Sequence, residues 1–480
     1  MHKETVIKQI GKILLFNSMF LFISFLISFT LHESSTAPLL FSTIITLIFG
    51  LFPMVFVPRI TEVNFRDGMM TVVMGWLITC VVGALPYLMW GHEFSLANAW
   101  FESVSGFSTT GSTILNDIES LPKGLLFWRS STHWIGGIGV VLFTILILPE
   151  SSSERIVLLN TEISELAKRN FQYRSKKVLI ILAVVYVGLT IFELLLLYLA
   201  GMSFFDAINH AFATIATGGF STKNLSVASF NSPAIDVIIM IFMVLSGLHF
   251  GLIFNTIIGK SPNLFKSDIV RAFLMVLLVG IVFTAVKLYF DGVYDNWADA
   301  FRYGAFQVIS VGTTTGFATA DTATWPPFTQ IVIIYFTIQC AMVGSTSGGM
   351  KFDRVYLFFK SIKKQIKLLK HPKAIVTLKV DGSLVSEGME MRVKTFIIFY
   401  LAIVLLVTML LSAMDIDLMT SFSASIATIG NVGPGFGDVS SLSNFNSIPD
   451  FGKFILSINM LLGRLEIFSF ITLFALDSWK

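Results

Sequence analysis

The fold of this chain is decided by four short runs rich in glycine and threonine, which read Phe107-Ser-Thr-Thr-Gly-Ser112, Ile215-Ala-Thr-Gly-Gly-Phe220, Gly312-Thr-Thr-Thr-Gly-Phe317 and Gly430-Asn-Val-Gly-Pro-Gly435. We align Gly111, Gly218, Gly316 and Gly433, which lie 107, 98 and 117 residues apart. A pattern that returns at a nearly constant period indicates copies of one structural unit. We therefore predict four units, each carrying one of these tips.

Each tip lies between apolar stretches of two lengths. A long stretch opens the unit, and a shorter one, such as residues 206–215 or 299–310, stands immediately before the tip. A helix needs about 20 apolar residues to cross a bilayer, so the shorter stretch predicts a short helix that does not cross. Non-helical backbone is stable at membrane depth only where protein buries it or water reaches it. The pattern predicts four re-entrant loops around one shared cavity.

The composition is that of an integral membrane protein. Of 480 residues, 54% are hydrophobic and 13% are charged. Hydropathy predicts ten transmembrane helices, at about residues 12–30, 38–57, 70–90, 130–149, 178–200, 235–258, 270–290, 328–350, 394–413 and 452–475. The predicted fold class is an all-α integral membrane protein with four pseudo-fourfold repeats of helix, re-entrant pore loop and helix, after an N-terminal hairpin of two transmembrane helices.

The tips set the boundaries of the repeats. We predict a transmembrane hairpin over residues 1–66 and four pore repeats over residues 67–172, 173–266, 267–372 and 373–480. If the N-terminus is cytoplasmic, most of the 33 lysine and arginine residues lie on the cytoplasmic side of the membrane. The positive-inside rule then predicts a multi-pass protein of the cell inner (plasma) membrane with both termini in the cytoplasm. The outer segments are net acidic, which would concentrate cations, unless they are ordinary solvated loops.

The residues of the tips suit a monovalent cation. Glycine permits backbone angles at which successive carbonyl groups face one axis. Carbonyl oxygens, with threonine hydroxyls beneath them, can replace the water around a dehydrated cation. Each short helix would also direct its partly negative C-terminal end at the cavity, which repels anions. The alternative is that glycine and threonine only mark loops or tight helix packing.

Together with three further segments, the tips resemble a known family. The segments are His133-Trp-Ile-Gly-Gly-Ile-Gly139, Gly344-Ser-Thr-Ser-Gly-Gly-Met-Lys351 and Gly463-Arg-Leu-Glu466. They resemble the superfamily of Trk, Ktr and HKT potassium transporters, and within it the TrkH and TrkG branch, over nearly the whole chain. The resemblance implies that K⁺ is the transported ion, that no cofactor is permanently bound, and that the chain is not an enzyme.

The resemblance also implies a selectivity filter built from the tips. Residue by residue, it consists of Thr109, Thr110 and Gly111; Ala216, Thr217 and Gly218; Thr314, Thr315 and Gly316; and Asn431, Val432 and Gly433. Family members that carry sodium tend to have serine in place of the first glycine, so Gly111 favours potassium. Pro434 stands where the fuller potassium-channel signature has tyrosine, which suggests looser selectivity.

The eighth predicted span is interrupted by Gly344, Ser345, Thr346, Ser347, Gly348 and Gly349. Glycine weakens a helix by about 1 kcal/mol relative to alanine, so the helix should open into a loop there. The resemblance implies that this loop blocks the pore below the filter. A helix interface of small residues is the alternative.

Arg464 lies inside the last predicted span, where a charge is unfavourable without water or a partner. We expect it to face the cavity and donate hydrogen bonds to the loop. A structural arginine held by Glu193 or by carbonyl groups is the alternative. Glu193 is itself either a proton site or a buried structural carboxyl.

The cytoplasmic side carries a basic helix and a hairpin. Lys360, Lys363, Lys364, Lys367 and Lys370 recur at helical spacing, and residues 374–385 predict a hairpin with Asp381-Gly382 as its turn. A basic helix of this kind often meets anionic lipid headgroups of the bilayer. The resemblance implies that residues 351–394 dock a TrkA-like nucleotide-binding regulatory subunit, and that the chain is a homodimer with no nucleic-acid partner.

Two other functions stay open at this point. One is an ion-coupled secondary transporter of another small solute, although four repeats in one orientation disfavour the inverted repeats typical of that class. The other is a sodium/potassium transporter of low selectivity. The sequence leaves open whether potassium moves passively or by symport.

Overall fold

The computed structural model describes residues 3–58, 65–139, 175–259 and 263–465. The end of the fourth predicted span beyond residue 139, the end of the tenth beyond residue 465, and Glu466 lie outside the described residues.

Helices make up most of the described chain, and its two strands form one small hairpin. In order, the helices are α1 (Lys3–Thr30), α2 (Thr36–Phe56), α3 (Phe65–Trp90), α4 (Leu96–Phe107), α5 (Lys123–Gly137), α6 (Ser175–Leu199), α7 (Phe204–Ile215), α8 (Pro233–Gly247), α9 (Phe250–Ile257), α10 (Asp268–Phe290), α11 (Trp297–Gly312), α12 (Pro327–Gln339), α13 (Phe352–Lys370), α14 (Glu387–Ser412), α15 (Leu418–Ile429) and α16 (Asp450–Arg464). Strands β1 (Lys379–Val380) and β2 (Ser383–Leu384) lie between α13 and α14.

Six helices in the described ranges are long and apolar enough to cross a membrane, namely α1, α2, α3, α6, α10 and α14. Helices α8 and α9 together would form a seventh span, bent by 105°. The spanning helices expose large apolar side chains, such as Phe56 in α2, Leu199 in α6 and Leu405 in α14, whose exposed fractions are 69%, 79% and 61%. Such side chains suit contact with lipid. The chain is therefore a multi-pass membrane protein.

The four short helices α4, α7, α11 and α15 begin at a polar cap. The side chains of Ser95, Ser203, Asn296 and Asp417 accept hydrogen bonds from the backbone N–H groups of Asn98, Asp206, Asp299 and Thr420. Such caps satisfy N–H groups that have no partner inside the helix. The short helices predicted at residues 206–215 and 299–310 are thus present, each starting two residues earlier.

The eighth predicted span is broken, but not where its glycines begin. Helix α12 ends at Gln339, and Cys340 adopts a left-handed backbone with φ of 58°. The next N–H groups bond outside this helix, since Met342 N donates to the Gly247 carbonyl at 3.2 Å. The break therefore starts at Cys340, four residues before Gly344, and the last residue of α8 accepts the hydrogen bond of Met342 N in place of a carbonyl of α12.

The sixth predicted span, residues 235–258, is also broken, which corrects the expectation of one continuous helix. Helix α8 ends at Gly247 and α9 starts at Phe250. The side chain of His249 caps α9 by accepting from Gly251 N at 3.0 Å. Phe250 N donates to the Gly344 carbonyl oxygen at 3.0 Å. The bend is thus held by the loop that follows α12.

The basic helix and the hairpin are confirmed. All five predicted lysines lie in α13, and β1 pairs with β2 in antiparallel register, Lys379 opposite Leu384 and Val380 opposite Ser383. Asp381 and Gly382 have φ of 46° and 74°, as a two-residue hairpin turn requires. The Asp381 carboxylate accepts from Asp268 N at 2.6 Å, so the hairpin also caps α10.

Candidate functional site

Each short helix ends in the same backbone pattern. After a cap residue comes a residue with positive φ, which is Thr109 (56°), Thr217 (55°), Thr314 (61°) or Asn431 (52°). Two positions later comes a glycine with positive φ, which is Gly111 (82°), Gly219 (79°), Gly316 (79°) or Gly433 (100°). Left-handed backbone costs a residue with a Cβ about 1–2 kcal/mol. Threonine or asparagine bears this cost at the first position, and glycine avoids it at the second.

This pattern corrects the alignment of the second tip by one residue. Gly219, not Gly218, corresponds to Gly111, because Gly218 N bonds to the Ala213 carbonyl as Thr110 N bonds to the Ser105 carbonyl. Ala216 is the cap of α7 and corresponds to Ser108, the cap of α4. Counting from the capping serines would have found this register, since Ser95 to Gly111 and Ser203 to Gly219 are both 16 positions.

The four tips close into a ring. A Cβ atom built on any of the four tip glycines would collide with a carbonyl oxygen of the next tip. The pairs of glycine and carbonyl are Gly111 with Gly218, Gly219 with Thr315, Gly316 with Val432, and Gly433 with Thr110. Each tip therefore lies against the next, and the fourth lies against the first. Ser112 Oγ also donates to the Gly433 carbonyl at 3.0 Å. The structure thus brings all four predicted tips together.

Hydroxyl groups stand directly behind the carbonyls of the ring. The hydroxyls of Ser108 and Thr110 are 2.7 Å apart, and those of Thr313 and Thr315 are 2.9 Å apart. Asn431 Nδ2 donates to Thr110 Oγ1 at 2.9 Å and so joins the fourth tip to the first. These side chains are buried. The ring offers oxygen atoms without a carboxylate, which suits a monovalent cation.

A pocket opens on the glycine side of the ring, and we call it the vestibule. The vestibule is lined by Gly111, Gly219, Gly316 and Gly433 together with the segments that follow them. Two lining residues are charged, Arg129 and Lys223, and both are basic. No carboxylate of the described residues lines it, although the sequence predicts net acidic outer segments.

A buried ion pair supports the first and second tips, and sequence patterns do not single it out. Arg129 Nε donates to Glu102 Oε1 at 2.6 Å, and both side chains are at most 1% exposed. Glu102 also accepts from Ile114 N at 3.1 Å, beyond the first tip. Arg129 Nη1 donates to the Ser221 carbonyl at 3.1 Å, beyond the second tip. The only signal in the sequence is one charge in each of two apolar segments.

Removing one member of this pair should destabilise the protein. We expect Glu102→Gln to lower the free energy of unfolding by about 3 kcal/mol, because it leaves Arg129 buried without its counter-charge. Thermal unfolding of the detergent-solubilised protein measures the effect. The matched control is Asp291→Asn, which breaks the exposed Lys287–Asp291 pair at 2.8 Å and should change stability by less than about 1 kcal/mol. Equal shifts in the two variants would contradict a supporting role for Glu102.

Residues 340–351 form a loop on the other side of the ring, against the ends of the short helices. Thr346 Oγ1 donates to the carbonyl of Ile215, the last residue of α7, at 2.9 Å. A Cβ atom on Gly348 would collide with the Asn431 side chain of the fourth tip. The loop therefore packs directly beneath the second and fourth tips.

Arg464 contacts this loop. Its Nη1 donates to the Thr346 carbonyl at 2.5 Å, and its Nη2 donates to the Gly136 carbonyl in α5 at 2.6 Å. The expected hydrogen bond to the loop is present, and the bond to Gly136 also fits the alternative of an arginine held by carbonyl groups. Glu193 is fully buried in α6.

Comparison with known proteins identifies the family. A family model described as "TrkH: Cation transport protein" matches residues 41–480. The chain belongs to the TrkH family. Members of this family transport cations, so the prediction that the chain is not an enzyme is confirmed.

Individual TrkH relatives cover most of the chain. It is 37% identical over 423 residues to the Trk system potassium uptake protein TrkH of Salmonella typhimurium and to that of Escherichia coli K12, with 87% of each chain covered. A crystal structure of the potassium transporter TrkH from Vibrio parahaemolyticus aligns with a TM-score of 0.91 at 31% identity, over 100% of both chains. The predicted resemblance is confirmed.

Proposed function

We propose that this chain takes up potassium ions across the cell membrane through the centre of the four-tip ring. The observation that carries the proposal is the closure of the ring, in which each tip glycine lies against a carbonyl oxygen of the next tip. Such a ring can replace the hydration shell of K⁺. Relatives named potassium uptake proteins over 87% of the chain support the same ion.

The proposed filter takes three residues from each tip, in the register that the backbone defines. They are Thr109, Thr110 and Gly111; Thr217, Gly218 and Gly219; Thr314, Thr315 and Gly316; and Asn431, Val432 and Gly433. Helices α4, α7, α11 and α15 end at these tips, so their partly negative ends add a field that favours cations. K⁺ is the transported ion of this proposal.

The loop formed by residues 340–351 is the proposed gate, and Arg464 holds it closed. The loop packs beneath two tips and is fixed by hydrogen bonds to α7, α8 and α16. An arginine donating two charge-assisted hydrogen bonds fixes its acceptors more firmly than a neutral donor would. Breaking the bond to Thr346 would remove one of the contacts that hold the centre of the loop in the closed position.

The finer architecture of the proposal has ten transmembrane helices in four pseudo-fourfold repeats, after an N-terminal hairpin at residues 1–66. Four capped short helices with one shared backbone pattern support the repeats. We place the chain in the cell inner membrane with both termini in the cytoplasm. In this orientation the lysine-rich helix α13 lies on the cytoplasmic side, as the positive-inside rule requires.

The same side offers the proposed landing surface for a regulatory subunit. Residues 351–394 combine the lysine-rich face of α13 with the hairpin, whose turn is tied to α10 through Asp381. A TrkA-like nucleotide-binding subunit binding there could move α10 and α13, and α13 follows directly after the gate loop. A homodimer completes the proposed assembly.

Reconstitution of the purified chain tests the function. We expect rubidium or potassium flux in proteoliposomes that exceeds the flux in empty vesicles and follows the imposed membrane potential. Flux that ignores the potential or requires a proton gradient would exclude a passive channel and favour symport, with buried Glu193 as the candidate proton site. Absence of potassium flux, or equal flux of sodium, would overturn the proposal of potassium uptake.

A further inference from the structure

The charge of the vestibule is opposite to that expected at the mouth of a cation pathway. Its two charged lining residues, Arg129 and Lys223, are both basic. Glu102 neutralises Arg129 at 2.6 Å, and both groups are buried. Lys223 is 33% exposed, its Nζ lies 3.5 Å from Glu119 Oε2 on a side chain that is 46% exposed, and the Asp206 carboxylate interacts with it electrostatically. An ammonium group that is only partly compensated therefore lines the approach to the ring.

The backbone around Lys223 is fixed, so its charge has a defined place. Lys223 N donates to Ser221 Oγ at 3.0 Å. The neighbouring Asn224 is bound to the segment that carries Glu119: its Oδ1 accepts from Ile118 N at 2.6 Å, and its Nδ2 donates to Asp117 Oδ1 at 2.8 Å. The loops after the first and second tips thus hold Lys223 and Glu119 beside each other.

A fixed positive charge acts differently on ions of different valence. The energy of repulsion is proportional to the charge of the ion, so a divalent cation is repelled twice as strongly as a monovalent one. The local concentration depends exponentially on that energy. A change that alters the local concentration of K⁺ by some factor alters that of a divalent cation by the square of the factor.

We propose that Lys223 is a specificity-determining residue that excludes divalent cations from the mouth of the ring, and that Glu119 sets the strength of this exclusion. This inference rests on the proposed potassium pathway. Asp117 and Asp206 keep their negative charge, since hydrogen-bond donors such as the side chains of Asn224 and Thr222 are neutral, but neither residue lines the vestibule. Among the described residues that line the vestibule, Lys223 is therefore the charged one whose side chain is not buried in an ion pair.

Rubidium uptake into proteoliposomes at low ionic strength tests this role, with Ba²⁺ as the divalent probe because its radius is close to that of K⁺. In Lys223→Met we expect the KM for Rb⁺ to fall about twofold and the inhibition constant of Ba²⁺ to fall about fourfold. Glu119→Gln should raise both constants, and the factor for Ba²⁺ should be the square of the factor for Rb⁺. Lys223→Arg keeps the charge and should restore the wild-type values.

Two controls separate electrostatics from structure. Lys287→Met removes a lysine that also has a carboxylate partner but lies outside the vestibule, and should change neither constant. About 0.5 M choline chloride should abolish the differences, because the Debye length falls to a few ångströms. Equal factors for Rb⁺ and Ba²⁺, or a Lys223→Arg variant that behaves like Lys223→Met, would overturn the inference alone. A wild-type chain without Rb⁺ flux would instead overturn the proposed function on which it rests.

Discussion

Replacing Arg464 with alanine is expected to raise the resting potassium flux of the reconstituted chain by about tenfold or more. The variant loses the hydrogen bonds to the carbonyls of Thr346 and Gly136 at 2.5 and 2.6 Å. A hydrogen bond from a charged group contributes about 1.5–3 kcal/mol. If one such bond forms only when the loop is closed, its loss raises the ratio of open to closed loops about tenfold. Rubidium uptake without any regulatory partner measures the change.

A second variant and a control make this test specific. Deletion of Ser345 to Ser347 removes the centre of the loop and should also raise the flux. Arg271→Ala removes an exposed arginine, 62% accessible and paired with Asp268 at the start of α10, and should leave the flux unchanged. Unchanged flux in both the Arg464→Ala variant and the deletion would remove the assignment of the loop as a gate.

Replacing Gly219 with alanine is expected to reduce the ratio of potassium to sodium flux by about tenfold. Gly219 has φ of 79°, and a Cβ atom there would collide with the Thr315 carbonyl of the third tip. The left-handed backbone adds about 1–2 kcal/mol of strain. The second and third tips must then move apart, and the ring loses the spacing that fits K⁺. Rubidium and sodium uptake, measured in parallel, give the ratio.

The register of the second tip can be tested with its neighbour. Ala216 is the cap of α7 and matches Ser108, so Ala216→Ser introduces the side chain that the first tip already has. We expect this variant to keep the wild-type selectivity. Selectivity lost in Ala216→Ser but kept in Gly219→Ala would restore the alignment that pairs Gly218 with Gly111.

Local signals in the sequence carried the class of protein and much of the site. Apolar stretches predict membrane helices because the bilayer imposes a length of about 20 residues on each. The glycines of the tips are visible because left-handed backbone excludes most other residues. The basic helix and the turn at Asp381-Gly382 are local in the same sense. Each of these features depends on neighbours within a few positions, so the sequence alone was sufficient for them.

What the tertiary structure decided depends on partners far away in the chain. Gly218 and Gly219 are adjacent and chemically identical, and the left-handed backbone of Gly219 and its contact with Thr315 identify it as the ring glycine. The bend after Gly247 and the break at Cys340 are held by backbone hydrogen bonds between residues 247–250 and residues 342–344, about a hundred residues apart in the chain. The pairing of Glu102 with Arg129, and the position of Lys223 in the vestibule beside Glu119, likewise arise from how the loops pack. The sequence determined that there would be four tips, whereas long-range hydrogen bonds and close contacts determined how the tips close into a ring and what lies above and below it.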